Sequence, residues 1–206
     1  MNKNICTIYL VRHGRTDWND KRLIMGQTDR SLTKDGISKA EILAKELANI
    51  KLDKVYSSDL LRAKQTAQII AGKHKLIVET SKSLRERYYA HLEGKHRSKL
   101  KEIDDALSLL SKDKRFSYKH HPDIESMEEL MDRFLKFLRT ISLENLGKTI
   151  LVVSHGGPMW IFLSLLNYFD SQKSLIKINN LSFIKLESDG VNFKVLETKG
   201  INIVNV

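Results

Sequence analysis

The chain has 206 residues, 41% hydrophobic and 29% charged, a globular composition that excludes a disordered chain and is most simply one domain, 1–206. No apolar run approaches the roughly 20 residues of a membrane span, Met1–Asn4 lacks signal-peptide architecture, and the single cysteine, Cys6, leaves no intrachain disulfide framework, so a cytoplasmic location is expected. A net charge of +10 admits nucleic acid, an anionic surface or anionic small substrates as partners; because the basic residues are not gathered on one helix with interleaved aromatics, neither nucleic acid nor membrane is expected.

The first predicted element is a buried strand over Ile5–Val11, rich in β-branched residues, running into Arg12-His13-Gly14. A guanidinium and an imidazole at the carboxyl end of a central strand sit where ligand crevices form in open α/β sheets. Arg offers a fork of donors suited to phosphate, and His can serve as nucleophile or proton carrier at neutral pH. The same tripeptide also fits an ordinary strand end with solvated polar groups. Asp20–Arg30 reads as a loop, with Asn19 and Gln27 close enough in sequence to share the crevice. Thr33 is the predicted N-cap of a helix over Lys34–Asn49, and Asp53–Ser57 a second strand. Ser57-Ser58-Asp59 reads as a helix start, placing Arg62 in a first turn, where a cation makes sense if an anion is also held there.

Leu76–Glu79 is a predicted third strand. Glu86 follows as an acid candidate, since a carboxylate near bound phosphate and like charge keeps its proton more readily; it also fits an exposed acid paired with Arg85 or Arg87. Lys95–His121 interrupts the α/β alternation, and Leu100, Ile103, Ala106, Leu107 and Leu110 give it a helical stripe. His91, His96, His120 and His121 match no metal-site spacing and read as solvated, so no metal is expected. An amphipathic helix opens at Glu125-Ser126-Met127. Lys148–Val153 is a central strand ending at Ser154-His155-Gly156-Gly157-Pro158, with Pro158 suited to the first position of a helix reaching about Phe169. Ser182–Glu187 and Phe193–Thr198 form a terminal hairpin that adds an antiparallel edge strand.

Five stretches in this order, Leu10–Asn19, Gly26–Gly36, Val55–Thr66, Leu84–Gly94 and Val152–Pro158, together resemble the histidine phosphatase superfamily, in its phosphoglycerate mutase-like branch. The resemblance implies a three-layer α/β/α sandwich with a mostly parallel sheet and a helical cap inserted at about 95–123. It implies a catalytic set of His13, Arg12, Arg62, Glu86 and His155, with His13 as nucleophile and Glu86 as general acid, and Asn19, Gln27, Tyr89 and Gly156 as substrate contacts. No cofactor is implied. The chain departs from the family pattern at Arg15, where relatives carry an acid or amide, and at Ile124, where a Gly is common. Arg15 is expected to add positive charge near the pocket.

The reading taken forward is a phosphatase of small phosphorylated metabolites. The alternative is a phosphoglycerate mutase, towards which Glu86-Arg87-Tyr88-Tyr89 and the basic pair Lys114-Arg115 lean; the resemblance implies two arginines at that pair in mutases, and this chain has a lysine in the first place. A third is a non-catalytic binder of phosphometabolites or nucleic acid. Oligomeric state is left open, a homodimer being one option.

Overall fold

The computed structural model describes residues 4–169 and 174–205, so Met1–Lys3 of the expected leaderless start lies outside the described residues. Strands β1 (Cys6–Arg12) and β4 (Thr149–Ser154) lie side by side and parallel, Arg12 opposite Ser154. Every residue of β4 is buried, the pattern of a parallel strand covered on both faces. With β2 (Lys54–Ser58), β3 (Val78–Ser81), β5 (Ser174–Ser188) and β6 (Phe193–Asn205) they form one sheet in the order β3-β2-β4-β1-β5-β6. The pairs among β1 to β4 are parallel, and β5 pairs antiparallel with both β1 and β6. The expected single antiparallel edge is thus a hairpin of two long strands, begun before Ser182 by a segment whose polar Asn179-Asn180 pair breaks the strand pattern.

Alternation along the central strands divides the core. Cys6, Ile8, Leu10, Ile150 and Val152 face α6 (Met127–Glu144) and α7 (Gly156–Leu165), packing on Phe134, Leu138, Met159 and Phe162. Tyr9, Val11, Leu151 and Val153 face the opposite way, onto α2 (Lys34–Glu46) and α3 (Leu61–His74), through Leu43, Ala44, Ala67 and Ile70. The period of two in the strands therefore builds the three layers. From β1 the chain turns over β4 towards β2; from β4 it turns over β1 towards β5. The two connections leave on opposite faces, so the carboxyl ends of β1 and β4 flank a topological switch point, the usual place for a ligand.

Thr33 caps α2 as expected, accepting from Gly36 N at 3.0 Å. The cap of α3 differs from the predicted Ser-Ser-Asp start. Leu60 is the N-cap residue without a side-chain bond, and Asp29 from the preceding loop accepts from Leu61 N at 2.6 Å. Pro158 is the third residue of α7 rather than the first, which loses nothing because a helix leaves its first four N–H groups without internal partners. That helix stops at Leu165, short of Phe169, where Asn167 takes the left-handed conformation common at helix ends.

The cap contains a short 3-10 turn (Arg97–Leu100), α4 (Lys101–Ser108) and α5 (Lys112–Ser117). Of the predicted stripe, Ile103 and Leu107 are buried, forming a small cluster with Ile24, Leu92 and Ile124. Ile124 is fully buried, so the residue that replaces the family's Gly supplies the cap with core. Among the described residues no helix is long and apolar enough to cross a membrane.

Candidate active site

The register of β1 against β4 assembles the site. Arg12 opposes Ser154, and His13 N donates to the Ser154 carbonyl at 3.0 Å, so the next residues, His13 and His155, stand side by side with ring centroids 5.1 Å apart. Both rings are buried. His13 Nδ1 lies 2.7 Å from the Gly14 carbonyl oxygen. A carbonyl only accepts, so Nδ1 carries the proton and Nε2 keeps a free lone pair. His155 is the N-cap residue of α7, at the end of the helix where backbone donors and the dipole favour negative charge.

Arg62, on the first turn of α3, is fully buried. Its Nη1 and Nη2 donate to the carbonyls of Thr28 and Gly26 at 2.9 and 2.7 Å, which aims the guanidinium. Arg12 is anchored through Nη1 to the Ile178 carbonyl. Arg12 Nε, Arg62 Nε and both ring nitrogens of His155 are buried without a hydrogen-bond partner, four of the eight such atoms among the described residues. Each buried unpaired polar group costs on the order of 1–3 kcal/mol, and donors left open in this way at the ends of β1 and β4 and on the first turn of α3 are able to receive an oxyanion.

The electrostatics agree. Burial, with Arg62 and Arg12 nearby, pushes both imidazoles well below the ordinary histidine value. Burial also brings the two guanidiniums down to about 10, against the favourable field of Glu86, and both stay charged at neutral pH. Glu86 accepts from Arg87 N at 2.9 Å and from Gly157 N, in the first turn of α7, at 3.1 Å. The double glycine permits this: a Cβ on Gly157 would sit 2.2 Å from Glu86 Oε1, and one on Gly156 3.2 Å from Arg12 Nε. The five expected catalytic residues are therefore gathered at the carboxyl end of the sheet, with α3 reaching it from one face and α7 from the other.

The expected substrate contacts differ in what their side chains hold. Asn19 Oδ1 accepts from Thr16 N at 3.0 Å, closing a capping box on α1 (Asp17–Asp20), so its amide nitrogen is the end that can reach a ligand. Gln27 is engaged at both ends, donating to the Glu86 carbonyl and accepting from Arg85, each at 3.2 Å. Tyr89 stacks beneath the Arg87 guanidinium at 5.3 Å, its hydroxyl pKa raised by burial. Arg15 departs from expectation: it pairs with Asp20 and with Asp35, the latter at 3.7 Å, so its charge is balanced at the surface rather than turned to the pocket. His91 and His121 pack edge to face, centroids 4.9 Å apart, outside the site.

Three supports escaped the sequence reading. Glu93 accepts from Gln27 N, Thr28 N, Thr28 Oγ1 and Tyr89 N, tying the loop that anchors Arg62 to the segment after Glu86. Arg133 on α6 pairs with Glu125 and donates to the carbonyls of Ser83, Arg85 and Glu86. Asn180 reaches the His13–Gly14 turn from β5. Glu93 lay within a recognised stretch; Arg133 carried no local signal, because its partners are carbonyls distant in sequence.

Comparison with known proteins identifies the family. The family model described as "Histidine phosphatase superfamily (branch 1)" matches residues 8–199. The chain is 38% identical over 152 residues to "Phosphoglycerate mutase-like protein 4" of Arabidopsis thaliana, covering 73% of this chain and 66% of that protein. A phosphoglycerate mutase crystal structure from Bacillus anthracis superposes with TM-score 0.80 at 26% identity, over 97% of this chain and 94% of the other. The phosphoserine phosphatase of Entamoeba histolytica, in complex with 3-phosphoglyceric acid, superposes with TM-score 0.71 at 25% identity, over 94% and 96%.

Proposed function

The chain belongs to the histidine phosphatase superfamily, and from that premise we propose that it is a phosphatase hydrolysing small phosphate monoesters through a phosphohistidine on His13. The observation that carries the reading is the set of buried, unpartnered donors on Arg12, Arg62 and His155 beside an imidazole whose Nδ1 is already engaged. Phosphoryl transfer needs positioning and neutralisation of the equatorial oxygens more than covalent chemistry from the protein. Arg12, Arg62 and His155 would hold three of the phosphate's faces. His13 Nε2 attacks phosphorus in line, the P–O bond to the alcohol breaks, and the leaving oxygen takes its proton from Glu86. Water then attacks the phosphohistidine, Glu86 accepts its proton, and phosphate leaves. The negative charge of the phosphate is met by the two guanidiniums, which stay charged at neutral pH, so turnover is expected to survive a chelator.

The second reading is a phosphoglycerate mutase, in which the same phosphohistidine returns its phosphoryl group to the substrate. Of the basic pair that leans towards it, Arg115 donates to the carbonyls of Leu110 and Ser108 within the cap. Incubation with 3-phosphoglycerate, with and without 2,3-bisphosphoglycerate, separates the two. Free phosphate supports the phosphatase, 2-phosphoglycerate the mutase. Salt-sensitive RNA binding with no labelling of His13 by any phosphodonor would replace both with a binding role.

A further inference from the structure

Strand β5 loses its register against β6 between Ile178 and Phe183, and Leu181 within the break has φ +63°. The interruption takes this segment out of the ladder and lays it along the turn that carries His13. The Ile178 carbonyl accepts from Arg12 Nη1. Asn180 Nδ2 lies 3.0 Å from the His13 carbonyl oxygen, 3.3 Å from that of Gly14 and 3.4 Å from Asn19 Oδ1. All three neighbours are oxygens that accept here, Asn19 Oδ1 from the Thr16 backbone as well. The amide nitrogen, not the oxygen, must therefore face them.

The Gly14 carbonyl receives two donors, Asn180 Nδ2 and His13 Nδ1, and it has two lone pairs to do so. Gly14 N is held separately by Thr66 Oγ1 at 2.9 Å, and that hydroxyl donates to the Arg62 carbonyl at 2.7 Å. The peptide linking nucleophile and turn is thus pinned at both ends, by α3 on one side and by β5 on the other.

We infer that Asn180 is a positioning residue for the nucleophile: it fixes the Gly14 carbonyl so that His13 holds its proton on Nδ1 and presents Nε2 to the substrate. The inference rests on the phosphohistidine reading. Partners that fix a histidine tautomer from behind are worth about 10–100-fold in comparable metal-ligand settings. Loss of Asn180 releases the carbonyl, lets the ring take the Nε2–H tautomer, and removes the attacking lone pair from part of the population.

The test is nitrogen NMR of histidine-labelled protein, read with steady-state kinetics. The wild-type His13 ring is expected to show a protonated Nδ1 and an unprotonated Nε2. Asn180→Ala is expected to show a mixture, with kcat reduced by about 10–100-fold and KM held within about twofold. Asn180→Asp, of equal size but without a donor, is expected to behave likewise and guards against a packing artefact. Asn179→Ala, whose parent side chain donates to the Gly200 carbonyl, should match wild type. A wild-type ring protonated on Nε2 overturns the inference, whether or not the variants fold. So does a folded Asn180→Ala with unchanged ring signals and kcat within about threefold of wild type. Failure to trap phosphate on wild-type His13 refutes the reaction proposed above, and is distinct from either of those results.

Discussion

The sheet end and the cap of this molecule are built on opposite terms. At the sheet end, polar side chains are buried and only partly paired: His13 and His155 are 3% and 0% exposed and Arg62 0%, with Arg62 Nε and both His155 ring nitrogens left without a partner. They are fixed by strand register, a helix N-terminus and backbone carbonyls. In the cap, the small cluster around Ile103 and Leu107 is surrounded by exposed ion pairs such as Lys99–Glu102 and Lys101–Asp105. Such pairs contribute little to stability. On the function proposed above, the first region keeps stability in reserve for an anion, and it cannot move without losing its geometry. The second can change residue by residue without disturbing the sheet.

The sharpest way to break this contrast is at the nucleophile. His13→Ala is expected to abolish phosphate release, since even single stabilising donors in such sites are worth roughly 10²–10³ in rate. A variant retaining more than about a tenth of wild-type turnover in a phosphate-release assay contradicts the covalent role.

A bound oxyanion should relieve the sheet end and leave the cap untouched. At a concentration about 100 times its Kd, vanadate or phosphate is expected to stabilise the wild type by about 2.7 kcal/mol. For a chain of this size that is a rise of about 5–10 °C in melting temperature. Arg12→Met should melt no lower than wild type without the anion, because a crowded charge is gone, and should lose most of the anion-induced rise. A full rise in that variant would place the anion elsewhere.

In the cap, Ile103→Ala removes a buried side chain and is expected to cost about 2–3 kcal/mol, at the low end for such truncations. Because that cluster shares none of its buried residues with the two faces of the sheet, Met127 alone among the described residues packing against both it and the core on the α6 side, the loss should fall mainly on local opening. Hydrogen exchange should accelerate across 97–117 and not in β1 or β4. Turnover of a small aryl phosphate should stay within about threefold of wild type while discrimination among larger substrates weakens. Equal acceleration in the central strands would show the cap to be continuous with the core.

The smallest expected effect is on pH dependence. His13 and His155 are held below the ordinary value of about 6.5 in the folded chain. Below that pH the unfolded chain binds protons that the native one refuses. Stability is thus fully present above about pH 6.5 and falls as the pH drops towards the depressed folded values. Urea midpoints should decline from neutral pH to about pH 5.5, and less so in His155→Gln. A decline as steep in that variant would assign the effect to other groups, among them His74, which burial also holds below the ordinary value.

Much of this was legible in the chain itself. Apolar strand runs ending in Arg12-His13 and Ser154-His155, helix stripes of period 3.6, and the capping residue Thr33 are local properties, so the order of elements and the buried faces follow from residue type and spacing, while the three-layer α/β/α arrangement was implied by the resemblance to a known family. Contacts between distant residues were set by folding. Register placed the two imidazoles together. Asp29 rather than the adjacent serines took the first turn of α3, Arg115 turned inward to cap carbonyls, and Arg15 was claimed by two aspartates. Asn180 came to lie behind His13 because a strand lost its register. Sequence determines periodicity and the chemistry available; which acceptor each donor finds depends on distances that exist only once the layers have packed.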